Sequence, residues 1–425
     1  MKELKEINLK ENSDKIILNN GLNIIFDHIS NHQSVCIGFF LKKGSRDENN
    51  NQLGYSHFSE HMIFKGTKKY DQKFISNYFD KVGGYINAYT TQELIVLYNK
   101  VPKIYLNDTI KFMCEIFLNS IFDKKEFEVE KSVIINELHS EFEDAHEKIH
   151  EYFMNNLFPD QGLGLPIIGN EDSISNCKRD NLFEFYKDFF SLDDLLIVIS
   201  GDIDKDKIIN LFEKIDFKSK KVNIFKKKAQ QGKKKFFKNF LPSKQAHIIL
   251  GTSKFKINKE EYIRLGLLNI ILGESMSSRF YQRIREELGL CYSIYTFYNK
   301  FREENIFGLY TSVLPGNINK TIIAISETIR DLIKNGISIN ELENAKTQKI
   351  GELILNYDIL HKRIHRIAFM DITLNKMFTY NQIIKIILDT TLDELNNMAK
   401  NIFIRKNLIT QLLYKKNLEI GEWKF

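Results

Sequence analysis

Two histidines with a glutamate between them form the part of this sequence best suited to metal chemistry. His57 and His61 are four residues apart in a stretch with helical spacing, so both imidazoles would lie on one face of the helix, one turn apart. Glu60 lies beside them, where its carboxylate could take a proton from a metal-activated water. The segment HFSEH has the order HxxEH, which is the inverse of the HExxH zinc signature. The pattern predicts a zinc site with a glutamate as general base.

A second segment, HEKIH from His146 to His150, has the direct HExxH order and competes for the same role. Glu171 lies 21 residues after His150 and could supply a third ligand. Acidic residues surround this segment, which is typical of a solvated helix face, so we expect His146 and His150 to be exposed polar residues. His361 and His365 have the same spacing without an adjacent acid, and we interpret them as structural. The apolar neighbours of HFSEH, which can exclude water, favour that segment.

A catalytic zinc needs a third protein ligand, and Glu137 is a candidate. It follows His61 by 76 residues and lies on a predicted helix over about 123–142. Glu130 lies two turns earlier on the same face, so one carboxylate could bind the metal while the other supports the site. The helix is rich in acidic residues, however, and an exposed acidic stripe is the ordinary explanation for both positions. These residues alone leave the third ligand open.

The predicted elements of the first half return in similar order after residue 240. Strand patterns at 15–18, 22–26 and 34–41 precede helices at about 55–63 and 71–82, strands at 85–90 and 94–100, and helices at about 103–122 and 123–142. Later strands at 245–253, 291–298 and 306–313 are interrupted by helices at about 261–272, 278–288, 318–335 and 338–356. Residues 123–138 resemble residues 338–353 at an offset of 215, which indicates a duplication. This order predicts an α+β fold of two homologous domains, each a mostly antiparallel β-sheet with helices packed on one face.

The length of 425 residues suits two domains, which we place at 1–215 and 241–425 with a lysine-rich linker over 216–240. The lysines cluster at this boundary and the net charge is only +6, so we expect a solvated linker and no nucleic-acid partner. The four cysteines have no CxxC spacing, which favours reduced thiols and a cytoplasmic protein. We see no leader segment and no run of 18 apolar residues, and we therefore expect no membrane association.

At this point the chain resembles a known family. HFSEH, followed 76 residues later by Glu137 within EKSVIINEL, resembles the inverzincin peptidases, which include pitrilysin, insulin-degrading enzyme and the mitochondrial processing peptidase. The length of the chain and its division into two similar halves resemble those of the processing-peptidase branch. Further matching stretches are GSRDE (44–48), HMIFKGT (61–67), GGYINAYT (83–90), PIIG (166–169) and SMSSRFYQRIREELGLCYSIY (275–295). The resemblance therefore covers most of the chain, and it favours HFSEH over HEKIH.

The resemblance implies a role for each matching residue. It implies one zinc per chain, bound by His57, His61 and Glu137, with Glu60 as general base and Glu130 in a supporting role. An edge strand would bind the peptide substrate through its backbone, and its residues are Asn87, Ala88, Tyr89 and Thr90. Arg285 and Tyr292 match a pair that contacts substrate near the zinc, where the phenol could donate to a developing oxyanion. No zinc ligands are expected in the second half.

The activity that the resemblance implies is zinc-dependent endopeptidase hydrolysis of short or unfolded peptides inside a chamber. In long relatives the Arg/Tyr pair reaches the zinc from a distant domain, so we expect a two-domain chain to form a homodimer that completes each active site in trans. The alternative is a non-catalytic core or assembly subunit of a larger complex. Such subunits usually lose a ligand or the base, whereas this chain keeps His57, Glu60, His61 and Glu137.

Overall fold

The computed structural model describes residues 6–215 and 228–415.

Strands from the start and the end of the first half form one six-stranded sheet. The strands are β1 (Ser13–Ile17), β2 (Asn23–His28), β3 (Ser34–Leu41), β4 (Tyr85–Thr90), β5 (Ile95–Pro102) and β6 (Leu195–Gly201). Their order is β1-β2-β6-β3-β5-β4, and every pair is antiparallel except β2 and β6. The last strand of the first half, β6, thus lies buried in the middle of the sheet, and β4 lies at an edge.

The helices of the first half include the one that carries HFSEH and the one that carries Glu137. They are α1 (Tyr55–Met62), α2 (Gln72–Val82), α3 (Leu106–Leu118), α4 (Lys124–Glu143), α5 (Ala145–Leu157), α6 (Glu171–Ser175), α7 (Arg179–Phe189) and α8 (Lys205–Glu213). Phe58 of α1 stacks on Phe127 of α4 with ring centroids 5.0 Å apart, and both side chains are buried. This aromatic contact holds α4 beside the helix that carries HFSEH.

The second half repeats the strand order of the first. Its strands are β7 (Phe236–Phe240), β8 (Ala246–Thr252), β9 (Cys291–Lys300), β10 (Asn305–Val313) and β11 (Ile409–Tyr414), in the order β7-β11-β8-β10-β9. Strand β11 is parallel to β7 and antiparallel to β8, as β6 is to β2 and β3. The helices are α9 (Lys259–Asn269), α10 (Ile318–Asn335), α11 (Ile339–Tyr357), α12 (Leu360–Ile372), α13 (Tyr380–Asp389) and α14 (Leu392–Ile402). The α+β prediction with two similar halves is confirmed.

Each half also lends one helix to the sheet of the other half. Helix α5 packs its apolar side chains, Ile149 and Phe153 among them, against β8, β10 and β11 of the second sheet. Helix α12 packs Ile364 and Ile367 against the first sheet, opposite the face that α1 to α4 cover. Both faces of each sheet are therefore covered, and the two halves are interlocked. The sequence predicts helices on one face only, because nothing in the local pattern says that a helix crosses to the other half.

Two buried charge clusters join the halves. Arg363 of α12 donates two hydrogen bonds of 2.6 Å to Asp27 of β2, and both side chains are almost fully buried. At the β9–β10 turn, Arg302 donates to Asp47 at 2.9 and 3.0 Å and, through its backbone N–H, to Glu93. Buried charges are stable only when they are paired in this way. These contacts fix how the second half sits against HFSEH.

The structure differs from the sequence predictions in two details. Within the predicted linker over 216–240, residues 236–240 form β7, and residues 216–227 lie outside the described part of the chain. The predicted helices at 261–272 and 278–288 are partly π-helical, over Ile270–Glu274 and Tyr281–Glu287.

Across residues 6–215 and 228–415, no helix combines the length and apolar character needed to cross a membrane.

Candidate metal centre

Two glycines fix the start of the helix that carries HFSEH. Gly54 precedes α1 with φ +85°, and a Cβ there would lie 2.4 Å from the carbonyl oxygen of Ile168. Gly169 has φ +83°, and a Cβ there would lie 2.6 Å from the carbonyl oxygen of Leu53. Only glycine adopts this conformation readily and leaves room for so close an approach. The PIIG segment, which the sequence marks only as a matching stretch, is thus the wall against which α1 begins.

A glutamate caps the same helix end. Glu48 accepts hydrogen bonds from the backbone N–H groups of Gly54 and Ser56, at 2.8 and 2.6 Å. These N–H groups at the start of a helix have no partner within the helix, so a carboxylate stabilises them. Burial nevertheless raises the pKa of Glu48 to about 8, against the effect of both hydrogen bonds. The GSRDE stretch therefore positions α1.

Three of the predicted residues converge on one point. The Nε2 atoms of His57 and His61 are 3.2 Å apart, and each lies 3.9 Å from a carboxylate oxygen of Glu137. Among the described residues, this trio is the one group of histidine, cysteine and carboxylate ligand atoms that lie within 4.8 Å of one another. Two nitrogen ligands, each about 2.0–2.1 Å from a tetrahedral zinc, are about 3.3 Å apart, which is close to the observed separation. The donor set and its spacing therefore fit a zinc ion.

Glu130 orients one of these imidazoles, as the sequence predicts for a supporting residue. His61 Nδ1 is 2.8 Å from Glu130 Oε1, so this nitrogen carries the proton and leaves Nε2 with a lone pair. Lys65 Nζ lies 2.5 Å from the second carboxylate oxygen of Glu130. Burial alone would raise the pKa of Glu130, but the contacts with His61 and Lys65 hold it below its ordinary value. Glu130 is thus an anion buried behind the metal ligand.

The two imidazoles differ in their electrostatic surroundings. Burial, with the nearby charge of His61, lowers the pKa of His57 to about 3. Burial would also lower the pKa of His61, but the hydrogen bond to Glu130 and the charges of Glu60 and Glu137 raise it overall. His57 Nδ1 is buried without a hydrogen-bond partner in the described structure. A neutral His57 can present a nitrogen lone pair, which is what a metal ion requires of an imidazole ligand.

Glu60 lies where a general base is needed. Its side chain is only 7% exposed, faces the cavity beside His57 and His61, and accepts a 3.0 Å hydrogen bond from the Thr90 hydroxyl of β4. Burial raises the pKa of Glu60, opposed by the charge of His61 and by the hydrogen bond from Thr90. A raised pKa makes a carboxylate a better proton acceptor and donor near neutral pH. Sequence reasoning assigned Thr90 to substrate binding and missed this contact.

The trio and Glu60 open into a cavity of about 680 Å³ between the two halves. Helices α1, α4 and α5, the 164–168 segment and strands β4 and β9 all contribute to its wall. Its carboxylates are Glu60, Glu137, Glu141, Glu147 and Glu151, and no lysine or arginine within the described ranges lines it. Apolar side chains such as Phe153 and Phe297 complete the wall. The cavity is large enough for a few residues of an extended peptide and is strongly acidic.

The predicted edge strand borders this cavity. Ala88, Tyr89 and Thr90 line it, whereas Asn87 does not. The Ala88 N–H donates a 2.8 Å hydrogen bond to the side-chain oxygen of Asn87. A peptide that pairs with the edge strand at Ala88 would therefore have to displace the Asn87 side chain.

Arg285 and Tyr292 lie outside the cavity of their own chain. The Arg285 guanidinium lies 5.4 Å from the ring centroid of Tyr292, and Tyr292 is 76% exposed. Neither residue is part of the wall that carries His57 and Glu60. Within one chain, the structure brings together the metal ligands, the base and the edge strand, but not this pair.

The HEKIH segment is not the solvated surface that its composition predicts. It lies on α5, which packs against the second sheet, and His150 lines the cavity. The Nε2 atoms of His146 and His150 are each 2.8 Å from the hydroxyl of Tyr295 on β9. The prediction of exposed polar histidines is wrong for His150, because the sheet that covers it comes from the other half of the chain, whereas the side chain of His146 is 43% exposed. Glu171 instead lies 3.4 Å from His139.

The chain is similar to known proteins over most of its length. A sequence model described as Insulinase (Peptidase family M16) matches residues 23–171, and one described as Peptidase M16 inactive domain matches residues 176–349. The uncharacterized zinc protease YmxG of Bacillus subtilis is 31% identical over 90% of this chain and 94% of its own length. An uncharacterized zinc protease of Rickettsia felis is also 31% identical, over 93% and 96% of the two chains. A protease from Helicobacter pylori shares the fold, with a TM-score of 0.88 over 95% of this chain and 99% of its own, at 19% identity. The chain belongs to peptidase family M16.

Proposed function

We propose that this chain is a zinc-dependent endopeptidase that hydrolyses short or unfolded peptides inside the acidic cavity. The observation that carries the proposal is that His57, His61 and Glu137 converge beside the buried carboxylate of Glu60. The curated relatives are named zinc proteases, which supports zinc as the metal. The inverzincin assignment rests on the same HxxEH order.

The three converging side chains would hold the metal, one ion per chain. Bound there, zinc would supply Lewis acidity, lowering the pKa of a water and polarising the scissile carbonyl. Glu137 is the most exposed of the three ligands, at 39% of its side chain, so the ligand set is open toward the cavity. An open position is what separates a catalytic from a structural zinc site.

Glu60 would accept the proton of the attacking water and pass it to the leaving amine. Its pKa is raised by burial, which suits both steps, and Thr90 fixes the orientation of its carboxylate. The substrate would add to β4 as a further strand, in contact with Ala88, Tyr89 and Thr90, so that its scissile bond reaches the metal ligands. Folded proteins cannot present an extended segment in so small a cavity.

Completion of the site in trans is the second part of the proposal. We propose a homodimer in which Arg285 and Tyr292 of one chain face the metal ligands of its partner, with Tyr292 donating to the developing oxyanion. Their exposure outside the cavity of their own chain supports this arrangement. The cytoplasmic location remains a prediction from the cysteine pattern.

Metal removal tests the proposed reaction directly. The purified full chain is given an unstructured fluorogenic peptide mixture before chelation, after chelation and after zinc is restored. We expect cleavage to disappear on chelation and to return with zinc. Cleavage that persists in the chelated protein would contradict a zinc peptidase. Folded protein that cleaves nothing under any condition would favour the non-catalytic subunit instead.

A further inference from the structure

Helix α5 carries a second pair of histidines, outside the centre described above, and one of them, His150, lines the cavity together with Tyr295. On α5, the Nε2 atoms of His146 and His150 both lie 2.8 Å from one atom, the hydroxyl oxygen of Tyr295. We propose that His146, His150 and Tyr295 form a second metal site, for a divalent transition cation such as Zn²⁺, Ni²⁺ or Cu²⁺.

The donor atoms suit such a cation. Histidines at i and i+4 lie on one face of a helix, and imidazole nitrogen is a preferred ligand of zinc, nickel and copper. The Tyr295 phenol has one proton and can donate it to only one of the two imidazoles at a time. Within the described ranges no third histidine, cysteine or carboxylate joins this pair, so the third ligand must be the Tyr295 oxygen. Metal binding would deprotonate it.

The surrounding charges favour a cation. Glu147 Oε1 lies 3.3 Å from His146 Nδ1, which resembles the way Glu130 supports His61. Glu151 and Glu141 line the same cavity, and Lys148 is paired with Glu151 at 2.8 Å.

The site would join the two halves of the chain. Helix α5 belongs to the first half in sequence, whereas β9 is the edge strand of the second sheet. A cation held by residues of both would crosslink the helix to the strand on the cavity wall. Binding should therefore raise the melting temperature, because a ligand that binds only the folded state stabilises it.

The test measures Ni²⁺ binding when the first centre is removed. The full chain carrying His57→Ala and His61→Ala is dialysed against Ni²⁺, and its fold is checked by circular dichroism. We expect one bound Ni²⁺ per chain and a higher melting temperature. Adding His146→Gln and His150→Gln should abolish both effects. Adding His361→Gln and His365→Gln instead should change neither, because His365 Nδ1 bonds the His361 carbonyl at 2.7 Å and that pair meets at no common atom.

Copper tests the phenol ligand separately. Bound Cu²⁺ should show a phenolate-to-copper charge-transfer band in the His57→Ala, His61→Ala chain. Tyr295→Phe should remove the band and weaken binding by more than about 10-fold, on the scale of metal-site substitutions. A folded His57→Ala, His61→Ala chain that binds no Ni²⁺, or binding that survives loss of His146 and His150, would overturn the site. A band that survives Tyr295→Phe would overturn its third ligand.

Discussion

Lys65 lies two contacts away from His61, one of the candidate metal ligands, and contributes to the charge behind it. It pairs with Glu130, which in turn accepts the Nδ1 proton of His61. We predict that Lys65→Met weakens zinc affinity by about 10–100-fold, because Glu130 loses the cation that keeps it ionised. Competition with a zinc chelator measures the change. Lys69→Met is the matched control, since Lys69 contacts Glu115 instead; equal affinities in the two variants would contradict the prediction.

Because His247 is buried, we predict that the stability of the fold depends on pH. It is 6% exposed on β8 and bonded at 2.9 Å to Tyr310, and burial, then the charge of His146, lowers its pKa to about 4, while Asp144 opposes the shift. Between about pH 6.5 and pH 4 the unfolded chain binds a proton that the folded chain does not. Stability therefore falls as the pH falls, by about 2 kcal/mol from about pH 7 to about pH 5 for this group.

The variant His247→Gln removes this proton uptake. We expect its melting temperature to fall less steeply over that range than the wild-type value does. Differential scanning calorimetry at several pH values measures the slope, and His139→Gln, on an exposed helix face, controls for loss of any histidine. An unchanged slope in His247→Gln would show that His247 is not held neutral by the fold.

At the scale of elements, the sequence predicts most of what lies near the site. The helix of HFSEH, the edge strand at 85–90 and the long helix of Glu130 and Glu137 all have clear local patterns, and the structure confirms them within a few residues. Glu130 could be predicted as a support because helical spacing puts it on the face of Glu137. What could not be predicted depends on chain crossings: β6 inserts between earlier strands, and α5 and α12 cover the opposite sheets.

The HEKIH segment is a second case in which the local sequence does not predict what covers a helix. Acidic neighbours indicate solvent exposure when only local sequence is considered. The cover for His150 comes from β9, about 145 residues later in the chain, and no local pattern reveals it.

The duplication, by contrast, is visible in the sequence as an offset of 215 residues, and the structure shows where the two copies differ. Glu352, the counterpart of Glu137, lies 2.9 Å from Lys349 and not beside paired histidines.

We predict that Arg363 of α12 stabilises the contact between the two halves. Arg363→Met leaves Asp27 buried without its cation, since Asp27 retains only the Ser200 hydroxyl as a described polar side-chain partner. Breaking a buried pair by removing one partner costs about 3–5 kcal/mol. Urea unfolding measures the loss. Arg283→Met is the control, because its pair with Glu287 is on the surface and is worth at most about 1 kcal/mol. Similar stabilities for the two variants would contradict the interlocked arrangement.

At the scale of the whole molecule, the proposed homodimer predicts complementation between inactive chains. Glu60→Gln lacks the base and Tyr292→Phe lacks the phenol, so neither chain alone should cleave peptide efficiently. After the two are mixed and allowed to exchange subunits, half of the dimers are mixed and each contains one intact site, so we expect about a quarter of the wild-type activity. A mixture no more active than the sum of its parts would mean that Tyr292 does not act on the partner's metal ligands.

The most direct test of the central claim measures zinc content and peptide cleavage together in Glu60→Gln. Glu60 is not among the three converging ligands, so the variant should stay folded and keep its zinc. Loss of a general base costs about 10²–10⁴-fold in rate, so cleavage of the fluorogenic mixture should fall by at least that range. Zinc retained with cleavage lost is the predicted result. Cleavage at the wild-type rate by the zinc-loaded variant would contradict HFSEH as the catalytic centre.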